Sequence, residues 1–433
     1  MENERLKVLV IAHEFSPYQG SECAEGWNVA TRLAKFHDVF VIFSSGSQFE
    51  PGKYITAADT YFQSNPSIPG LTLIPVTRPY MALQLAKINK LFRNIGPIGF
   101  PFIYYPGYKL WHKAAFRKVK QLRDENTFHL IHLLTQITYR EPGFLYRYDC
   151  PFVWGPTGGI ENIPTSFLSV FSIRSRFLEF LRTISNHFVH RFSPRVNKAI
   201  KKASLIYAFS KEDANYFKLK KAIRVKLLLD AGTYPADIKS KNKETHTNER
   251  LKAVWCGQLT DRKAPSILFK ALAKDELTRN SLDVIVIGSG PLEDSSHRMA
   301  TDLGLENITW MKNVDHDEVF NVMAKADFFI HTSLREATSN VIPEALSVGL
   351  PVLCHDANGM SIAINETCGI KIPLLSPEVS ISGFHEAMKK LILDREMLKR
   401  LKEGASQRAR EISWDVMAET IANDYLEIVK KKQ

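Results

Sequence analysis

Two doubly wound α/β domains in tandem are what the sequence predicts, on three observations. Short apolar runs of strand character alternate with longer helix-periodic amphipathic segments along all 433 residues, the pattern of parallel strands covered by helices. That length exceeds what one ordinary core fills and suits two. A polar, charged stretch at 233–250 (TYPADIKSKNKETHTNER) interrupts the alternation near its middle and offers almost nothing to a core.

The elements follow in order. In the first half, strands are expected at 7–12, 39–44, 71–76, 129–134, 152–155, 205–209 and 225–229, with helices between them. After the polar stretch the alternation restarts, with strands near 252–257, 283–288, 307–310, 327–331, 351–354 and 369–372. From 377 to 430 the periodicity is helical throughout, and Ser413–Trp414 offers a cap and a new helix start. The expected division is therefore a domain over 1–232, a linker over 233–250 and a domain over 251–412, with helix 413–433 completing the first. Two such sheets bind ligands at the carboxyl ends of their strands, across an interdomain cleft.

Composition narrows the classes. No run approaches the roughly 20 apolar residues that span a bilayer, and the opening MENERLKVLVIAHEF reads as a strand rather than a secretory leader. Five cysteines without a C-x-x-C pair fit neither a disulfide framework nor a zinc site, so a reduced, cytoplasmic protein is expected. Of the net charge of +11, residues 1–230 carry +14 and the remainder −3. Within the basic half, 84–120 holds eight basic residues and no acid, and 165–202 holds eight with Glu179 alone against them, both interleaved with aromatic side chains. Such a face suits an anionic membrane surface, nucleic acid or a phosphate-bearing substrate, although a packed helix with a solvated basic side explains it equally.

The strongest local signal is REATSNVIPEALSVGLPV (335–352), in which Glu336 and Glu344 flank a helix start just after a strand. With the helix beginning near Ser339 or Asn340, Glu336 falls in the loop before it and Glu344 about one turn inside. The first is placed to meet sugar hydroxyls, the second a ribose, and the backbone N–H groups between them a phosphate. Two solvated acids at a helix start are the plain alternative.

This E-x7-E element resembles that of retaining GT-B glycosyltransferases, in particular glycosyltransferase family 4. CGQLTDRKAPSILFKAL (256–272) is similar to the family's glycine–basic–lysine loop, VIGSGPLED (286–294) to its next strand and glycine turn, and NVDHDEVFNVMAKADFFIHTS (313–333) to the helix and strand before the glutamates. VLVIAHEFSPYQGSECAEGWNVATRLAK (8–35) resembles the start of the acceptor domain. The resemblance implies Glu336 as the catalytic contact to the donor sugar and Glu344 for the ribose. It implies Lys263 for the diphosphate, with Arg262 beside it, and Gly20, Ser21, Gly257, Gly288, Gly290, Ser339 and Asn340 around the donor. A UDP- or GDP-linked sugar is the implied co-substrate, with no cofactor and no metal, and the acceptor a saccharide or a lipid-linked one. Such an enzyme would work in the cytoplasm, at the inner face of the cell membrane where the acceptor is lipid-linked.

Two positions depart from the family pattern. Gln258 stands where an arginine usually follows the glycine, leaving Arg262 as the near replacement. Of two histidines expected one residue apart at a strand end, only His132 is present, and Leu134 takes the second place. His132 is a cleft residue or a packed strand histidine. Gly158 and Gly159, in WGPTGGIENIP, either face the cleft or shape a turn.

Other motifs carry less. Asp315-His316-Asp317 has metal-binding spacing but sits where a helix cap is expected, and Gly288-Ser289-Gly290 lacks the third glycine of a dinucleotide fingerprint. The segment 355–360 (HDANGM) lines a sugar pocket or forms a turn. The competing functions are a sugar-nucleotide epimerase of the same fold and a non-catalytic basic protein that binds nucleic acid. Neither has a recognisable motif here.

Overall fold

The computed structural model describes residues 5–92, 99–125, 127–234 and 250–431, and within them the expected strands assemble into two parallel sheets. The first sheet comprises β1 (Lys7–Ala12), β2 (Asp38–Ser44), β3 (Leu71–Val76), β4 (Leu130–Thr135), β5 (Phe152–Thr157), β6 (Leu205–Ala208) and β7 (Val225–Leu227). They run in the order β3-β2-β1-β4-β5-β6-β7. The second comprises β8 (Leu251–Cys256), β9 (Leu282–Ile287), β10 (Ile308–Met311), β11 (Phe328–His331), β12 (Val352–His355) and β13 (Gly369–Ile372), in the order β10-β9-β8-β11-β12-β13.

Central strands such as β4 and β12 are buried at every residue, whereas the edge strands β3, β7 and β10 are only partly covered. Burial on both faces is why these strands read as unbroken apolar runs rather than as alternations. β5 continues to Thr157, past the expected end at Gly155. The Gly-Pro pair that signals a turn in sequence is absorbed here by a register shift against β6 between Trp154 and Thr157.

The chain divides into two compact units: Met1–Ile160, Phe188–Ala231 and Trp414–Gln433 form one, and Glu161–His187 with Gly232–Ser413 the other. The sequence reading assigned 161–187 to the first. Phe167 and Phe171 explain the difference, since both are buried in the core built around Trp255, Phe269 and Ile330. Of the expected linker, residues 235–249 lie outside the described residues.

In the first unit, the final helix Trp414–Lys430 packs on the helix Glu22–Leu33. Asp415 bridges Arg32 at 3.3 Å and Lys35 at 2.7 Å. The buried Asp424 accepts from the Tyr207 hydroxyl of β6 at 2.8 Å. The core of this unit gathers Leu9, Ile42, Trp111, Leu133, Trp154 and Ile206.

Candidate active site

Both sheets reverse their winding direction next to their first strand, between β1 and β4 and between β8 and β11. Loops leave such neighbours in opposite directions and open a crevice at the carboxyl ends. In the second unit that crevice receives the segment after β8, from Gly257 to Lys263, and the segment after β11, from Thr332 to Glu336.

Hydrogen bonds clip these two segments together. The Leu334 N–H donates to the Arg262 carbonyl at 2.9 Å, the Thr332 hydroxyl to the Lys263 carbonyl at 2.8 Å, and the Arg262 guanidinium to the Arg335 carbonyl at 2.8 Å. Trp255, buried in β8, donates its indole N–H to Thr332 at 2.9 Å. The result is a fixed convergence on one carboxylate: Arg262 Nη1 and Lys263 Nζ each stand 2.5 Å from Glu336 Oε1, and the Ser333 hydroxyl donates to the same oxygen at 2.9 Å. Burial pushes the Glu336 carboxyl up, but Arg262 and Lys263 outweigh it and hold the group at about 2. His331 lies beside this cluster, fully buried, its Nε2 without a hydrogen-bond partner among the described residues. Burial first, and Lys263 second, keep its imidazole neutral.

Glycines permit the close approaches. The Lys263 stem crosses Gly257, where an added Cβ would lie 3.5 Å from both Cδ and Cε. At Gly288, φ is 140° and a Cβ would stand 1.9 Å from the Gly257 carbonyl oxygen, so no other residue fits. A Cβ at Gly290 would meet the Leu259 carbonyl oxygen at 2.6 Å. Past Glu336, Ser339 adopts φ 69°, and Asn340 precedes the seven-residue helix Val341–Ser347 without a side-chain capping bond, which puts Glu344 in the helix's first turn. Glu344 Oε1 is paired with His316 Nε2 at 3.1 Å.

The remaining sequence candidates separate. Asp315 caps the helix His316–Ala324, accepting from the Glu318 N–H at 2.8 Å, which accounts for the D-x-D spacing. His355 is buried between the Ser333 carbonyl, 3.0 Å from Nδ1, and the Ser380 hydroxyl, 2.9 Å from Nε2, so it braces the loop before Glu336. Gly359 abuts the same loop, its missing Cβ leaving room for the Ala337 carbonyl.

In the first unit, Gly20 and Ser21 are exposed at the start of the helix Glu22–Leu33, with Ser21 at φ 58°. Gly158 pairs with Thr138 beside β4, Gly159 follows it at φ 86°, and Gly158 packs against Asp213, which accepts from the Ile160 N–H at 3.0 Å. His132 must be corrected as a cleft candidate. It is wholly buried in β4, its Nδ1 2.5 Å from the Tyr425 hydroxyl and its Nε2 2.5 Å from the Gly155 carbonyl oxygen, and burial lowers it to about 4.

The sequence reading missed two groupings. One is the Arg335–Glu179 pair, two hydrogen bonds of 2.5 and 2.8 Å, which anchors the residue next to Glu336. The lone acid in a basic segment was its only signal. The other is a polar network where β1 meets β4. Glu14 accepts there from Tyr54 and from Gln136 Nε2 (3.3 Å), and its Oε1 lies 3.1 Å from His13 Nδ1. Arg78 donates to His13 Nε2 at 2.8 Å.

Comparison with known proteins adds to this geometry. Residues 237–408 match the family described as glycosyl transferases group 1. D-inositol 3-phosphate glycosyltransferase of Streptomyces bingchenggensis is 27% identical over 194 residues, 42% of each chain. GDP-mannose-dependent monoacylated alpha-(1-6)-phosphatidylinositol monomannoside mannosyltransferase of Corynebacterium glutamicum is 24% identical over 200 residues, 44% of this chain and 51% of that one. The chain thus spans about half or less of the length of these relatives. Among solved structures, Anabaena HepE in complex with UDP and glucose matches with a TM-score of 0.57 at 18% identity, over 98% of this chain and 100% of that one.

Proposed function

We propose that the chain, whose residues 237–408 match the glycosyl transferases group 1 family and which has the GT-B fold, is a retaining glycosyltransferase of family 4. It moves a sugar from a nucleoside diphosphate sugar, UDP- or GDP-linked, to a saccharide or lipid-linked acceptor. The observation that carries this reading is the convergence of Arg262 and Lys263 on Glu336 at the switch point of the second sheet.

Breaking the bond from the anomeric carbon to phosphate leaves negative charge on the phosphate oxygens. Fixed cations stabilise that charge more in the transition state than in the ground state. Lys263 and Arg262 supply it without a metal, and Glu336, kept anionic by those same cations, accepts from donor-sugar hydroxyls. Glu344 accepts from the ribose once His316 moves aside, and Gly20 and Ser21 serve as further donor contacts. In the same-face displacement we favour, the acceptor oxygen bonds to the anomeric carbon as the phosphate departs, and the acceptor proton passes to the departing phosphate. A lipid-linked acceptor in envelope polysaccharide or glycolipid synthesis suits a cytoplasmic enzyme at the inner face of the membrane.

Thermal-shift screening with UDP-, GDP- and ADP-sugars tests the reading, since a ligand that binds the folded state raises its melting point. A shift with one donor class, followed by anomer-retaining transfer in the presence of a chelator, is the expected result. No shift and no turnover with any donor would end the proposal.

A further inference from the structure

In the second unit the carboxylate of Glu344 is met by an imidazole from a different strand–helix connection. His316 opens the helix His316–Ala324, which follows β10, and Glu344 lies in the first turn of the helix Val341–Ser347, which follows β11. The two helices pack side by side. Both start at the carboxyl ends of their strands, the side of a parallel sheet that binds ligands. There His316 Nε2 stands 3.1 Å from Glu344 Oε1.

Stability does not explain the pair. The His316 side chain is 68% exposed and that of Glu344 19%, and an ion pair so open to water contributes little to folding. Asp315 already caps the start of the first helix, so His316 is not needed for that purpose. Phe320, one turn further along the same helix, flanks the ring at 5.0 Å between centroids and supports it from its own element.

The polarity of the contact is fixed. A carboxylate only accepts, so the ring nitrogen facing it carries the proton. A donor therefore stands opposite an acceptor. Apart from water, the one small group that satisfies both when placed between them is a hydroxyl, which accepts with its oxygen and donates with its proton. A phosphate oxygen would suit the imidazole and be repelled by the carboxylate, and an ammonium would do the reverse.

We propose that His316 is a specificity-determining residue for the ribose of the donor. One hydroxyl of the ribose diol enters between ring and carboxylate, accepts from His316 Nε2–H and donates to Glu344 Oε1. A nucleotide without that hydroxyl gains neither bond and leaves the two side chains paired with each other. His316 thereby selects ribonucleotides over their deoxy analogues. This selectivity presupposes that Glu344 meets the ribose, as in the proposed transfer.

The test is titration calorimetry of the full chain with UDP and GDP, each beside its 2′-deoxy and 3′-deoxy analogues, for wild type, His316→Ala and Glu344→Ala. The exposure of His316 lets its variant fold, which the melting point checks. In the wild type one of the two deoxy analogues should bind about tenfold more weakly than the parent, and in His316→Ala that ratio should fall to about threefold or less. The ratio, unlike affinity itself, is unmoved by a general loosening of the helix start. An equal ratio in wild type and His316→Ala, or a wild type that binds both deoxy analogues as tightly as the parent, would overturn the role of His316. Failure of UDP and GDP to bind at all, or a ratio untouched by Glu344→Ala, would instead remove the ribose from Glu344, and the proposal with it.

Discussion

At Glu336 two cations and a hydroxyl converge on one carboxylate oxygen, so these side chains should respond to mutation as a unit. Glu336→Gln is expected to fold and to lower turnover by about 100-fold or more, the worth of a charged hydrogen bond to the reacting sugar. The same change frees Arg262 and Lys263 from their anion, so free nucleoside diphosphate should bind more tightly, whereas Lys263→Ala should weaken it. Titration calorimetry of UDP and GDP with both variants checks this, and opposite signs for the two are required. Glu336 was singled out in the sequence by its place before a helix start and Lys263 by the family resemblance, and the two do come together, whereas Glu344 is paired with His316 instead. His331, Ser333 and Thr332 were not singled out. They sit in an apolar strand end, and only the fold shows that Thr332 ties β8 to the site through Trp255. His132 shows the converse limit, since a histidine in a strand reads the same whether its ring faces a crevice or a tyrosine hydroxyl in the core.

Among the elements, the strands were the most legible, for a buried parallel strand has to be apolar along its whole length. Helix partners were not, because periodicity shows that a helix has an apolar face but not what that face meets. The segment 173–192 was legible as basic and aromatic, yet its attachment through Glu179 was not. Removing that attachment should be felt at both ends. Glu179→Ala leaves the Arg335 guanidinium, whose side chain is only 17% exposed, without its carboxylate, at a cost of about 3 kcal/mol. A clear fall in the melting point of the second unit is expected, with Glu179→Gln intermediate because its amide oxygen still accepts. An unchanged melting point for the alanine variant would show that the pair contributes nothing to stability.

Across the whole molecule, acid should act through buried histidines in both units. His13 and His132 in the first unit and His355 in the second are each pushed down to about 4, chiefly by burial. All three remain neutral in the folded state, while the unfolded chain takes up protons below about 6.5. Stability is therefore fully present above that value and falls as pH drops toward 4, by about 1.4 kcal/mol per pH unit for each histidine. Glu336, held at about 2, adds its own loss only below the ordinary carboxylate range. Burial raises the carboxyls of Glu22 and Glu25, which adds stability as pH falls, so the histidine loss is read from the difference between wild type and a histidine variant rather than from the wild-type melting curve alone. His355→Asn should start lower at pH 7.5 but vary less between 6.5 and 4.5. The division of the chain was legible at the polar stretch after 232 but not at 161–187, whose allegiance rests on where Phe167 and Phe171 insert.

The bond between Glu179 and Arg335 joins two features that the sequence keeps 156 residues apart. One end is on the helix Ile173–Phe192, and the other is one peptide link from Glu336. Arg335 is thereby held from outside its own loop, and the chain beside the carboxylate on which Arg262 and Lys263 converge is anchored at one more point than the loop itself provides.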